Sequence, residues 1–262
     1  MKYLNHFKYS LLACLLLGAL ASCENTPEFP CVKGDGARIT EARTITEFSR
    51  VSLNVDADVY LHQGGTHDVS ITAQENIIAE ITTEVAGEVL EIHNTTCLRQ
   101  EKTIRIDITL PVLAGLEVDG PGDVYGESSF TASEMEILIQ GKGGIELTAN
   151  ADKVQLELGG SGNATLDLQT DVLISKVKGT GDLHLSGTGL YHNSTVNASG
   201  NLNAFDFISD HTDLIMKGAG DANVHADSIL TVDILGTGNV FYKGRPSLNV
   251  KISGSGEVKD AN

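Results

Sequence analysis

Tryptophan is absent from this 262-residue chain, and tyrosine and phenylalanine number only six and seven. Without large rings, a core must be filled by aliphatic side chains that each cover less area, so a thin interior is expected. Positive charge is also scarce: 18 lysines and arginines stand against 35 acids, a net charge of −17. A surface that acidic repels phosphate backbones and anionic headgroups, which excludes nucleic acid as a partner. Basic ligands, neutral glycans and divalent cations stay compatible with it. Beyond residue 22 no apolar run is long enough to span a bilayer as a helix.

The one apolar run, Leu11 to Leu20, follows Lys2 and Lys8 and leads directly into Leu20-Ala21-Ser22-Cys23. A basic n-region, a short apolar stretch and small residues before a cysteine resemble the bacterial lipobox. Cleavage before Cys23 would let its thiol carry a diacylglycerol, so residues 1–22 are read as a signal peptide and Cys23 as the lipidation site. The expected location is the cell envelope, lipid-anchored at the outer membrane, with the face left open. Loss of two lysines and no acid takes the mature charge to about −19.

Cysteine is correspondingly rare. Cys14 leaves with the signal peptide and Cys23 takes lipid, so only Cys31 and Cys97 remain. In an oxidising compartment this pair is expected to be bridged. A metal site is not expected, because no CxxC or His pair stands at ligand spacing.

What the chain has in abundance is glycine, 28 residues, and most of it falls into a repeat. The blocks begin at Gly120-Pro121-Gly122-Asp123, Gly141-Lys142-Gly143-Gly144, Gly160-Ser161-Gly162-Asn163 and Gly179-Thr180-Gly181-Asp182. They continue at Ala198-Ser199-Gly200-Asn201, Gly218-Ala219-Gly220-Asp221, Gly236-Thr237-Gly238-Asn239 and Gly254-Ser255-Gly256-Glu257. The period is about 19 residues, a spacing typical of stacked repeats. Asp56-Ala57-Asp58-Val59 reads as a degenerate upstream copy.

Between blocks, apolar residues alternate with polar ones: Met135, Ile137, Ile139; Val154, Leu156, Leu158; Leu230, Val232, Ile234; Leu248, Val250, Ile252 before a turn. Ile145, Leu147; Ala164, Leu166; Leu183, Leu185; Val240, Tyr242 follow one. Period two means strands with one buried face. Each repeat therefore reads as strand, tight G-x-G turn, strand, and a looser turn marked by Gly126, Gly187 or Gly244. Glycine at the turns permits positive φ and close approach of neighbouring coils. The Asp or Asn beside it is expected to bond the turn's own backbone. Turn-forming roles are thus assigned to Gly122, Asp123, Gly162, Asn163, Gly181, Asp182, Gly220, Asp221, Gly238 and Asn239.

Two short strands cannot bury an apolar face alone, but stacked units can. The expected fold is all-β: a parallel β-solenoid, right-handed by the crossover rule, with two facing sheets and the turns aligned along one edge. Tandem hairpins in an antiparallel sandwich are the competing arrangement, disfavoured by a fixed period over so many copies. Residues 43–115 lack the repeat. Strand alternation at Arg50–Val55, Asp68–Thr72, Val89–Ile92 and Ile104–Ile108, with a helical turn or two between Asn76 and Val85, reads as an N-terminal β cap region. Residues 23–42 read as tether and lead-in, and 116–262 as the repeat solenoid.

Phe48 through Asp58, Leu110-Pro111, the serial G-x-G-D/N blocks and Tyr242-Lys243-Gly244-Arg245-Pro246 together resemble the putative auto-transporter adhesin, head GIN domain family. The likeness spans about residues 40–258. It implies a pectin-lyase-like superhelix, a lipoprotein setting and an adhesive role without an established catalytic site. Gly144, where an acid or amide is usual, and Ala198, where glycine is usual, depart from the pattern and argue against every turn binding the same thing.

Chemistry finds little purchase elsewhere. One acid or amide per coil, half of them neutral, is too few carboxylates for serial calcium sites. Lys153, Lys176, Lys178, Lys217 and Lys251 stand at differing offsets and do not converge, and no carboxylate pair stands out for acid/base work. His62, His67, His93, His184, His192, His211 and His225 lack ligand spacing and read as solvated or turn residues. Ser161, Ser199 and Ser255 share a slot with Ala, Thr, Pro and Lys, which no nucleophile could. No cofactor and no enzymatic activity are expected. The reading is an adhesion or binding module whose partners are the membrane through lipid, a glycan or protein surface, and possible copies of itself in a homo-oligomer. A β-helix lyase acting on carbohydrate and a purely structural envelope protein are the alternatives.

Overall fold

The computed structural model describes residues 31–99 and 102–262; Cys23 and the signal peptide lie outside them. The strands in chain order are β1 (Val32–Lys33), β2 (Arg38–Arg43), β3 (Arg50–Asn54), β4 (Ala57–Gln63) and β5 (Asp68–Gln74). One helical turn, α1 (Glu75–Ile78), is followed by β6 (Ile81–Ala86), β7 (Val89–Asn94), β8 (Leu98–Arg99), β9 (Ile104–Leu110) and β10 (Gly115–Val118). The long strands are β11 (Asp123–Ile139), β12 (Ile145–Leu158), β13 (Ala164–Val177), β14 (Leu183–Val196), β15 (Leu202–Met216) and β16 (Ala222–Ile234). Shorter β17 (Val240–Lys243), β18 (Ser247–Ile252) and β19 (Val258–Asp260) close the chain.

From β10 onward every pairing is parallel and joins successive coils in near-perfect register, as Leu156 with Ser175 and Ser175 with Ser194. This is a parallel β-solenoid of about eight turns. The two-strand coil expected from the sequence needs one correction. Each central coil is a single strand of 13 to 17 residues that bends without leaving the ladder. The bend is a slip in alternation: Ala151 is buried, Asp152 and Lys153 both face outward, and Val154 is buried again. Ala-Asp-Lys turns the strand because two successive outward residues rotate it onto the opposite sheet. The same slip occurs at Asp171 and Val172.

The N-terminal residues enter the stack out of chain order. β3 and β4 form a coil directly beneath β10 and β11, pairing Leu116 with Val51 and Val124 with Val59. On the other side, β7 and β9 form a further coil, again parallel. Antiparallel strands then seal the end: β6 on β7, β5 on β9 and β2 on β5. Helical structure between Asn76 and Val85 is confined to α1; β-branched Thr82, Thr83 and Val85 favour the strand that follows. Ile77 and Ile78 of α1 are fully buried, and Arg43 donates to the carbonyls of Ile78 and Ile81 at 3.0 and 3.2 Å. Cys31 and Cys97 form a disulfide.

The interior is mostly aliphatic, as the composition dictates, with Phe48, Phe130 and Phe207 its only buried phenyl rings among the described residues. Its inward positions are those expected from the alternation except in the last coil, where Leu248, Val250 and Ile252 are exposed.

Candidate functional site

The G-x-G edge of the rod is a packing device. A Cβ on Gly162 would overlap the carbonyl oxygen of Gly143, one on Gly181 that of Gly162, one on Gly220 that of Gly200 and one on Gly238 that of Gly220. Gly122 would collide in the same way with the backbone of Val55 and Ala57. None of these glycines has positive φ; that conformation occurs at Gly36, Gly87, Gly187 and Gly244. The tight turns therefore need glycine for close approach alone, and among the repeat coils positive φ falls instead at Gly187 and Gly244, which the sequence marked as looser turns. Ala198 stands where the other repeat blocks have their first glycine. Gly179 N and Gly218 N donate to Leu158 O and Val196 O, a turn bond for which Ala198 has no counterpart among the described residues.

The Asp and Asn beside each turn bond the next coil, not their own turn. Asp123 Oδ1 accepts from Gly144 N at 2.7 Å, Asn163 Oδ1 from Asp182 N at 2.8 Å and Asp182 Oδ1 from Asn201 N at 3.0 Å. Asn201 then accepts from Asp221 N, Asp221 from Asn239 N and Asn239 from Glu257 N. Stacking in register places the next N–H within reach, whereas the tight turn leaves its own out of line. From Asn163 onward amide and carboxylate alternate, so no two carboxylates stack directly. Amides also donate sideways: Asn201 Nδ2 to Asp182 Oδ1 at 2.8 Å and Asn239 Nδ2 to Asp221 Oδ1 at 3.2 Å. Two carboxylates about 5 Å apart would repel by a few kcal/mol at an effective dielectric near 20.

Residues that can meet a ligand lie on the outer sheet faces. Following the register across coils gives one outward row: Asp107, Tyr60, Tyr125, Glu146, Thr165, His184, Asn203, Asn223, Phe241 and Lys259. Adjacent members sit about 4.8 Å apart. At one end Tyr60 is held between Tyr125, stacked at 5.3 Å, and the Arg105 guanidinium, 3.7 Å from its ring centre. Burial and the neighbouring Asp123 carboxylate raise the pKa of Asp58, and burial and the same carboxylate raise that of Tyr125. The corresponding row on the opposite face runs Glu91, Ser52, Glu117, Leu138, Glu157, Lys176, Thr195, Ile215, Asp233 and Lys251, without a ring.

Midway along the first row the strand bulges. His184 pairs with Asn203 and Ser186 with Asp206, so two residues of β15 face one of β14. The extra residue is Phe205, which turns outward beside Asp206. Bulges re-aim side chains, and here the result is a depression of about 270 Å³ whose lining includes Thr165, His184, Asn203, Phe205, Asp206 and Asn223. Asn223 Nδ2 donates to Asn203 Oδ1 at 3.0 Å, and Lys243 Nζ stands 4.6 Å from the Phe205 ring centre. The sequence carries a trace of this: the step from Asn201 to Asp221 is 20 residues where the preceding one is 19. Read as loose periodicity, that extra residue passes unnoticed.

The groups that could do chemistry do not assemble. His62 lies 4.0 Å from Asp107 and 3.9 Å from Glu127, but Asp107 is gripped by Arg105 Nε and Nη2 at 2.9 and 2.5 Å. Lys153, Lys178 and Lys251 pair individually with Glu134, Glu157 and Asp233. Among the described residues no three His, Cys, Asp or Glu side chains are placed to hold a metal. His192 departs from the expectation of solvated histidines. It is buried inside the rod, 3.0 Å from Ser175 Oγ, which donates to Ser194 Oγ at 2.8 Å. Burial lowers its pKa to about 4, and no substrate reaches it there.

A family model described as putative auto-transporter adhesin, head GIN domain, matches residues 47–246. A putative adhesin from Parabacteroides distasonis superposes with a TM-score of 0.84 at 23% identity, covering 88% of this chain and all of its own. A second protein from that organism, described as a putative lipid binding protein, gives 0.84 at 26% identity over 89% of this chain and all of its own. A putative adhesin from Parabacteroides merdae gives 0.82 at 23%, covering 88% and 99%. No curated protein matches the sequence.

Proposed function

This chain belongs to the putative auto-transporter adhesin, head GIN domain family, and from that premise we propose that it is a non-catalytic binding module held at the cell envelope by lipid on Cys23. Its ligand surface is the outward row from Tyr125 to Phe241, and its ligand is an extended neutral glycan. The Phe205 bulge carries this reading. An aromatic edge beside two amides, a histidine, a threonine and a carboxylate offers the apolar patch and the donors and acceptors that a sugar ring presents in return. A depression of about 270 Å³ admits one such ring. Repetition of polar groups every 4.8 Å or so extends the contact to its neighbours. Weak contacts of this kind add through effective concentration when the module is tethered.

The test is binding of the lipid-free chain to a glycan array, run beside a polysaccharide-degradation panel. Phe205→Ala and Asn223→Ala are expected to abolish a measurable signal without moving the melting temperature by more than a few degrees. Product release from any polysaccharide, or binding indifferent to both substitutions, would overturn the reading. Cys23→Ser is expected to release the protein from the membrane fraction; a mature, membrane-bound variant would refute the tether.

A further inference from the structure

We propose that the bend beside the N-terminal coils holds a site for a small organic amine in its ammonium form, separate from the glycan row. The out-of-order start of the stack creates it. In the central coils one strand runs through the bend and walls it. The two N-terminal coils have no such strand. β4 leads into antiparallel β5, β7 is entered through its hairpin with β6, and β3 is entered from residues 44–49. Among the described residues only 111–114 cross there, climbing from β9 past the coil of β3 and β4 to reach β10, a rise of about 10 Å. Pro111 has no N–H with which to prolong β9. Beside this crossover lies a depression of about 370 Å³, a size that suits a small molecule. Its apolar wall is Pro111 and Val112, the latter 43% exposed, with the buried ring of Phe48 beneath.

The polar lining selects the ligand. It consists of Glu47, Ser49, His67 and Glu88. His67 Nε2 lies 3.0 Å from the Phe48 carbonyl oxygen, which can only accept. Nε2 therefore carries the proton, and Nδ1 of the neutral ring is an acceptor. Ser49 Oγ turns its hydrogen to Glu88 Oε2 at 3.5 Å. The side-chain donors of the lining are thus already engaged, and what remains accepts. No lysine or arginine lines the depression, and among the described residues neither glutamate has an ion-pair partner. The neighbouring Arg50 is held by Glu136 at 2.6 Å. Such a site is completed by a group that brings only donors and positive charge on an apolar stem, and an alkylammonium is that group. A sugar would set some of its own oxygens against the carboxylates, and an anion would be repelled outright.

The test is an NMR titration of the full chain at neutral pH with phenethylamine, with its neutral counterpart 2-phenylethanol and with the anion phenylacetate. Phenethylamine is expected to bind saturably, the alcohol about tenfold more weakly and the anion not at all. Glu47→Gln combined with Glu88→Gln, both exposed and compatible with folding, is expected to weaken amine binding about tenfold, with the remainder less sensitive to salt. Glu84→Gln combined with Asp213→Asn removes the same charge from other exposed positions and is expected to leave binding unchanged. Three results would each overturn the proposal: no saturable binding of the amine, equal binding of amine and alcohol, or equal losses in the two double variants. The glutamate pair lies outside the row from Tyr125 to Phe241, so these outcomes are independent of the glycan reading.

Discussion

The two ends of the rod solve the same problem differently. A solenoid buries its apolar stripe only between coils, so each terminal coil faces water on one side. At the N-terminal end the chain folds back: coil β7–β9 is laid outside the earlier coil β3–β4, and antiparallel β2, β5 and β6 with α1 close over it. Ile71, Ile77 and Ile78 there are as buried as anything in the centre. In the coil of β18 and β19, Leu248, Val250 and Ile252 stand half open instead. A cap needs chain that breaks the repeat and reverses direction, as β2, β5 and β6 do.

The contrast can be broken most severely at the turns. Gly181→Val puts a side chain into the Gly162 carbonyl in mid-rod and is expected to cost about 4 kcal/mol or prevent folding. Gly256→Val creates the same collision with Gly238, but the last coil can fray, so its melting shift should be much smaller. Thermal melts of both compare them directly, and equal shifts would mean that the end coil is as constrained as the centre. Next come the inward leucines. Leu230→Ala should cost about 3 kcal/mol as a cavity in a closed interior, and Leu248→Ala about 1 kcal/mol, by denaturant titration of the monomer.

Acid should find the centre before the ends. His192 is buried neutral, and its pKa is lowered to about 4 from 6.5. Above pH 6.5 folded and unfolded states are both neutral there, and the group adds no pH dependence. As pH falls from 6.5 towards 4 the unfolded chain takes up a proton that the folded one refuses, so stability is lost, by about 3 kcal/mol at full extent. His192→Leu is expected to flatten the stability profile by that amount over that window; an unchanged slope would show that the imidazole opens to water. The smallest effect is expected from the ladder. Asp182→Ala removes one acceptor for Asn201 N and Nδ2 and should cost about 1 kcal/mol, measured by melting.

Much of this was legible without coordinates, because it depends on periods. Alternation at Val154, Leu156 and Leu158, repeated every 19 residues or so, can only be a stack of strands with one buried face. What escaped reading was of two kinds. The single extra residue that throws Phe205 outward differs from its neighbours by one position in twenty, too little to distinguish from loose spacing. His192 occupies an inward slot that Leu173 and Leu230 fill in nearby coils, and it is made tolerable there by Ser175, which bonds it and is itself bonded to Ser194. A polar network of that kind is spread over residues 17 to 19 apart and is invisible to local pattern.

The sequence by itself determined the coil: its length, which residues turn inward, and that glycine must recur at one edge. Those follow from strand alternation and the 4.8 Å separation of strands, properties of any polypeptide. Only the tertiary structure decided why the glycines are needed, namely the carbonyl of the coil beneath rather than backbone conformation, and where each Asp and Asn sends its bond. It also decided the stacking order at the start, with β3–β4 set between β10–β11 and β7–β9. These depend on what lies one coil away, and a contact between residues about 19 positions apart exists only once the chain has closed a turn upon itself.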